Sequence, residues 1–295
     1  MRLDLFDARP CDLGEGPIWH PDRGQLFWFD ITGRRLLWRA IGGAAGGIDL
    51  PEMHSAAGII DHDRLLVASA SGLWQLDLAS GRRLSLCPIE ADDARTRSND
   101  GRADPVGGFW IGTMGLSAQP GAGSIWRWHR GELRRLWRGI TIPNAICFTP
   151  DGRAAHFADT ARGQVMKVAL DQAGWPRGEP VVWLDMSSDG LDPDGAVIDA
   201  GGRFHVAHWG AGRVACHAPD GAFIEAVTID APHASCPAFG GADLDVMFCT
   251  SALQGMDGAA RRRAPHAGCV FAAPRGLRGQ PEHRVLLPQP SPFQG

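Results

Sequence analysis

Five residues of the chain combine types that can do chemistry with a spacing that repeats: Glu15, Asn99 with Asp100, Asn144 and Asp194. Each opens a short apolar run that leads into a tight turn, so each holds the same phase of a recurring unit. Two carboxylates, a carboxamide oxygen and some waters would give a divalent cation an all-oxygen shell, with the two negative charges offsetting its own. Ligand hardness favours Ca, Mg or Mn, and the oxygen set alone does not choose between these and Zn or Fe(II). Taken singly, Glu15 or Asp194 reads as a turn carboxylate and Asn99 or Asn144 as an Asx-turn. Their shared phase is what argues for one site.

The unit that must position them is a hairpin written six times. Turn-plus-strand copies lie at residues 22–30, 61–68, 104–112, 151–158, 199–207 and 241–248, the second being the most degraded. A short apolar run precedes each copy. A glycine and another short apolar or alternating segment follow each, as at Gly33, Gly72, Gly123, Gly163, Gly212 and Gly268. Three strands per unit are therefore visible, and a fourth fits variable segments such as residues 131–137 and 180–184. The interval of about 40 to 55 residues is close to that of four-stranded propeller blades. No long window shows helical periodicity with good caps, which disfavours βαβ folds.

The expected fold is all-β, a six-bladed β-propeller with four antiparallel strands per blade, and residues 1–295 are expected to form one domain. Residues 2–6 are expected to add the outer strand of the last blade and close the ring. In a propeller the first strand of each blade lines the central channel, so the five polar residues would converge on one mouth. Asp22, Asp104, Asp151 and Asp199 fall in turns at the other end of these strands and read as structural.

Bulk composition narrows the function classes. The 295 residues are 44% hydrophobic and 21% charged, ordinary for a globular protein, and a net charge of -4 offers no field to gather nucleic acid or anionic lipid. The basic run at residues 261–263 reads as a solvated loop. No apolar run approaches the roughly 18 residues of a membrane span, and the start has no signal-peptide core, so a cytoplasmic protein without membrane or nucleic-acid partners is expected. The odd number of cysteines, seven, without a CxxC pair, reads as buried small hydrophobes in a reducing compartment. No exposed apolar stretch suggests an interface, which makes a monomer the default.

Other motifs carry less. His205 and His208 are three apart in a strand and point to opposite faces. Ser98 has no nucleophile elbow around it. The glycine clusters lack both the Walker lysine and the dinucleotide pattern. Most tryptophans occupy strand positions as packing groups, with Trp19 and Trp209 candidates for the mouth.

Five segments in order, LGEGPIWHPDRGQLFWFDI, RSNDGRADPVGGFWIGTM, IPNAICFTPDGRAAHFADT, PDGAVIDAGGRFHVAHWGAGRV and CPAFGGADLDVMFCTSA, resemble the regucalcin (senescence marker protein) and gluconolactonase family of six-bladed propellers. The resemblance runs from about residue 10 to about residue 275. It implies hydrolysis of a sugar-acid lactone, such as glucono-, xylono-, arabino- or galactonolactone, with one divalent metal (Ca, Zn, Mn, Mg or Fe(II)). It implies Glu15, Asn144 and Asp194 as metal ligands and Arg97 and Asn99 as substrate-binding residues. It favours Asp194 as the general base, with Asp100 a second candidate because a carboxylate held by a cation is a weaker base. The family's acidic substrate contact has no carboxylate counterpart in GLSAQPGAGSIWRW, which offers Gln119 instead. A non-catalytic calcium-binding propeller and an esterase with another substrate are the alternative readings.

Overall fold

The computed structural model describes residues 1–288, and they form the expected ring. Six four-stranded antiparallel sheets follow one another along the chain. Their first strands are Gly14–His20, His54–Ile59, Thr96–Ala103, Pro143–Phe148, Asp192–Ile198 and Ala234–Gly240. Each first strand packs against the next, and the first strand of blade 6 packs against that of blade 1, which closes the circle. The fourth strands expected in the variable segments are Glu132–Ile140 in blade 3 and Pro176–Asp185 in blade 4.

Apolar side chains alternate along these strands so that both faces of every blade are covered. The result is six buried clusters, one between each pair of neighbouring blades. Between blades 3 and 4, for example, Trp110 and Ile125 meet Ile146, Phe148 and Phe157. Trp19 does not reach the mouth: it is buried between blades 6 and 1, stacked on Phe248 at a centroid distance of 5.8 Å. Its position in the strand puts it on an interblade face rather than at the end. The four turn aspartates are structural as expected. Asp104 accepts from the backbone N–H of Val106 and Gly108 and pairs with the fully buried Arg127 at 2.7 Å, while Asp199 accepts from Gly201 and Arg203.

The basic run is a correction. Residues 261–263 end a short helix, Gly258–Arg263, whose N-cap Asp257 accepts from the N–H of Ala260, and the three arginines sit where they complement the helix dipole. All seven cysteines are free, and six are buried. Among the described residues no helix is long and apolar enough to cross a membrane.

Blade 6 is completed by the N-terminus, as the sequence suggests. Strand Asp4–Asp7 pairs antiparallel with Val270–Pro274 as the outermost strand. The chain start also latches onto blade 5, where Leu3 N–H donates to Thr228 O at 2.9 Å, and Leu3 is fully buried. Deleting residues 1–7 removes that strand, a buried leucine worth about 2–3 kcal/mol and the Asp7 carboxylate that holds Arg9 and Arg39. Calorimetry should show Tm falling by about 10 °C, following the size scaling of stability. An unchanged Tm would mean that the ring does not depend on this closure.

Candidate active site

Every one of the six first strands breaks register with its neighbour at the same phase, between Glu15 and Ile18, His54 and Ala56, Ser98 and Gly101, Asn144 and Cys147, Pro193 and Ala196, and Ala234 and Pro237. A bulge interrupts strict alternation and re-aims side chains, here toward the axis. The backbone cost is visible beside the polar residues. Gly16, after Glu15, has φ +55°, and Ala145, after Asn144, has φ +54°, a left-handed conformation that costs an alanine about 1 kcal/mol. A Cβ on Gly16 would lie 2.2 Å from Ser55 O of the next blade. One on Gly195, after Asp194, would lie 2.2 Å from Cys236 Sγ. Glycine is required at both places for the inner strands to approach this closely.

The bulges deliver Glu15, Arg97, Asn99, Asn144 and Asp194 to one cavity of about 470 Å³ at the mouth where the first strands begin. Its outer wall is made by Leu13, Met114, Ile142, Trp209, Ser117 and Gln254. Two further carboxylates clip the approach. Asp30 at the end of blade 1's second strand accepts from Leu13 N–H, and Asp159 at the equivalent place in blade 4 accepts from Thr141 and Ile142 N–H. Each thus fixes the chain two residues before Glu15 or Asn144.

A hydrogen-bonded chain then crosses three blades. Arg97 Nη1 donates to Asn99 Oδ1 at 2.8 Å, Asn99 Nδ2 to Asn144 Oδ1 at 2.8 Å, Asn144 Nδ2 to Thr160 Oγ1 at 2.8 Å, and Thr160 Oγ1 to Pro193 O at 2.6 Å. The direction is forced. The single hydroxyl proton of Thr160 goes to Pro193 O, so the hydroxyl must receive the Asn144 NH2 group, and the Asn144 oxygen is left pointing away from it. Arg97 Nε and Nη2 have no protein partner among the described residues and border the cavity. Burial lowers the Arg97 pKa to about 10.

Glu15 and Asp194 are both buried, and their carboxyls interact. Burial, then the charge of Asp100, pushes Glu15 up to about 8. Burial, then the charges of Glu15 and Asp100, raises Asp194 well above the usual carboxylate range. Two acids this poorly neutralised by protein fit a dication, and the oriented Asn144 oxygen adds a neutral donor. Among the described residues no group of three His, Cys, Asp or Glu side chains is placed to hold a metal. The candidate set is instead two carboxylates and a carboxamide.

Asp100 and Gln119 are not brought to the cavity. Asp100 turns the other way from Asn99, into the channel below, where its Oδ2 accepts from Ile146 N–H at 2.7 Å and burial raises its pKa. Gln119 is exposed and folds back on its own loop, its Oε1 accepting from Ser117 N–H at 3.2 Å, and it borders a separate cavity with Asp93, Arg95 and Thr96. Of the two tryptophans, Trp209 does line the mouth, stacked on His233 at 4.4 Å. Thr160 was missed in the sequence, although its place directly after Asp159 at a strand end was a usable signal. His205 and His208 take separate structural partners, Asp199 and Arg213.

Two outcomes follow for the cation-free protein. The folded-state pKa of Glu15, raised from 4.5 to about 8, gives stability that is complete below pH 4.5 and lost as pH rises toward 8. Buried His54, His156 and His208 act oppositely: their lowered pKa values make stability rise as pH climbs toward 6.5 and level off above it. Glu15→Gln cancels them from the comparison. In EDTA, the stability of wild type relative to Glu15→Gln should fall by a few kcal/mol across that window in urea titrations, and a flat difference would contradict the burial argument. Thr160→Val, equal in shape, strands the Asn144 amide and Pro193 O and should cost about 1–3 kcal/mol by the same assay.

The model of the SMP-30/Gluconolactonase/LRE-like region matches residues 13–253. A Rhizobium meliloti (strain 1021) protein named "Putative sugar lactone lactonase" is 42% identical over 94% of this chain and 94% of its own. The L-arabinolactonase of Azospirillum brasilense is 34% identical over 91% and 90%. The crystal structure of a calcium-binding protein, regucalcin, from Agrobacterium tumefaciens str. C58 superposes with a TM-score of 0.95 at 37% identity, covering 97% of each chain. The cavity, its bulged strands and the ring that carries them therefore belong to a member of the SMP-30/gluconolactonase/LRE-like family.

Proposed function

We propose that the protein hydrolyses the lactone of a sugar acid to the free aldonic acid, with one divalent cation held by Glu15, Asn144 and Asp194. The observation that carries this reading is the cavity lining: two buried carboxylates, an oriented carboxamide oxygen, and a guanidinium with unpaired donors. The names of the relatives, a sugar lactone lactonase and an L-arabinolactonase, support the same substrate class. Seven unpaired cysteines suit a reducing cytoplasm.

When bound, the cation supplies Lewis-acid polarisation of the lactone carbonyl. The rest falls to the chain. Arg97 Nε and Nη2 donate to substrate hydroxyls, while Nη1 stays anchored on Asn99. Asp194 accepts a proton as water adds to the carbonyl carbon, and returns it to the ring oxygen as the acyl–oxygen bond breaks, so that lactone and water become hydroxy acid. Asp100 is a weaker candidate for the base because it lies below the cavity with one oxygen occupied by Ile146 N–H. Gln119 receives no substrate contact in this scheme, and Ser117 and Gln254 line the wall nearby.

The test is pH-stat hydrolysis of freshly made glucono-, xylono-, arabino- and galactonolactone by chelator-stripped protein, with and without Ca, Mg, Mn, Zn and Fe(II), against spontaneous opening. Cation-dependent turnover is expected. Asp194→Ala should lose cation binding and turnover together, and Arg97→Ala should raise KM at least tenfold with cation content unchanged. A bound cation without turnover on any lactone would favour a binding protein, consistent with the calcium-binding relative.

A further inference from the structure

The end of the described chain forms a strap that the repeat does not predict. Residues 278–286 cross the channel at the mouth opposite the site and touch all six blades. Arg284 pairs with Asp22 of blade 1 at 2.7 Å, Val285 N–H donates to Ile59 O of blade 2, and Leu286 N–H to Gly107 O of blade 3. Gln280 Nε2 donates to Phe148 O of blade 4 and Ile198 O of blade 5, and Gly279 N–H to Leu244 O of blade 6. The fit is close: Val285 is buried, and Cβ atoms on Gly58 and Gly279 would meet Val285 and Phe239 at 2.6 and 2.2 Å.

One side chain of the strap enters the channel. Glu282 Oε1 accepts from Arg102 Nη1 at 2.7 Å, with both side chains nearly buried. Arg102 lies two residues beyond Asp100 in the same strand, and Asp100, Arg102 and Glu282 border one cavity of about 10 Å³, the size of a single water. Among the described residues Arg102 Nε is buried without a partner, so this guanidinium has an unused donor and shares its cavity with the Asp100 carboxylate. Asp100 meanwhile holds Ile146 N–H inside the bulge that aims Asn144.

We propose that Glu282 is a positioning residue: by engaging Arg102 from the strap, it keeps the guanidinium off Asp100 and so leaves Asp100 to hold the bulge that presents Asn144. Without Glu282 the Arg102 guanidinium takes Asp100 as its counter-ion, the Ile146 N–H is released, and the Asn144 oxygen loses its aim. The strap thus reaches the site through three side chains, Glu282, Arg102 and Asp100. This rests on Asn144 being a cation ligand, as assigned above, but not on the substrate.

The experiment is isothermal titration of Ca²⁺, Mn²⁺ and Zn²⁺, separately, into chelator-stripped protein, with Tm and circular dichroism on the same samples. Glu282→Gln should fold and bind each of the ions that wild type binds about tenfold more weakly, the usual scale for groups that orient metal ligands. Adding Arg102→Gln removes the competing guanidinium and should restore affinity to within about twofold, even if Tm stays low. A strap that only braces the ring predicts the opposite pattern. A fall in Tm with ion affinity unchanged in Glu282→Gln, or an affinity that Arg102→Gln does not restore, overturns the proposal. Wild type that binds none of the three ions overturns it together with the ligand assignment, whereas ion binding without lactone turnover leaves it standing and removes only the substrate reading.

Discussion

Two buried carboxyls, Glu15 and Asp194, face each other at the axis of the ring, and most of what is unusual about the inner strands serves to keep them there. In water a pair of carboxylates would turn apart and hydrate. Here burial instead raises both proton affinities, helped by the charge of Asp100 at Glu15 and by the charges of Glu15 and Asp100 at Asp194, and Arg97, the guanidinium that offsets Glu15, is itself weakened by burial. Such an arrangement is unstable against its own charge unless a proton or a cation joins it. The stability that lets it persist comes chiefly from the six apolar clusters between blades, which contain none of the charged or amide side chains of the site.

The geometry that imposes this crowding is the bulge. A regular strand would send alternate residues toward neighbouring blades and leave few side chains directed at the mouth. Breaking register once per first strand turns a polar side chain toward the axis and costs left-handed backbone at Gly16 and Ala145. Because the residue after the ligand must also clear the adjacent blade, glycine follows both Glu15 and Asp194. Strain and close approach are therefore local expenses, met by the packing behind them.

This explains what the sequence revealed and what it hid. The repeat of turn, strand and glycine was legible because each blade must solve the same packing problem, and with it came the ring, the closing N-terminal strand and the convergence of Glu15, Asn99, Asn144 and Asp194. Which way each of two adjacent polar residues faces was not legible. Asn99 and Asp100 lie within one bulge, where alternation fails, and they diverge to the cavity and the channel. Gln119 lay in an irregular loop, whose course depends on a backbone turn rather than a period. Trp19 was misplaced because a strand residue near the mouth in sequence can still point between blades. The strap at residues 278–286 copies no repeat, so no pattern announced it, and its polar contacts appear only when all six blades surround it.

The ring also departs from symmetry in a way that the site requires. Six equivalent polar residues would overfill one mouth with charge, and blades 2 and 6 place serine where the others place ligands or substrate contacts. These serines are not idle. Ser55 Oγ of blade 2 donates to Asn99 O of blade 3 at 2.5 Å, and Ser235 Oγ of blade 6 donates to Gly14 O of blade 1 at 2.5 Å, beside Glu15. Each therefore ties down the polar bulge of the blade that follows it in the ring. A buried backbone carbonyl in or beside a bulge needs a donor, and a buried hydroxyl supplies one without adding charge. The two blades that carry no carboxylate or carboxamide hold steady two of the four that do, and the six-fold repeat becomes a one-sided, oriented cup.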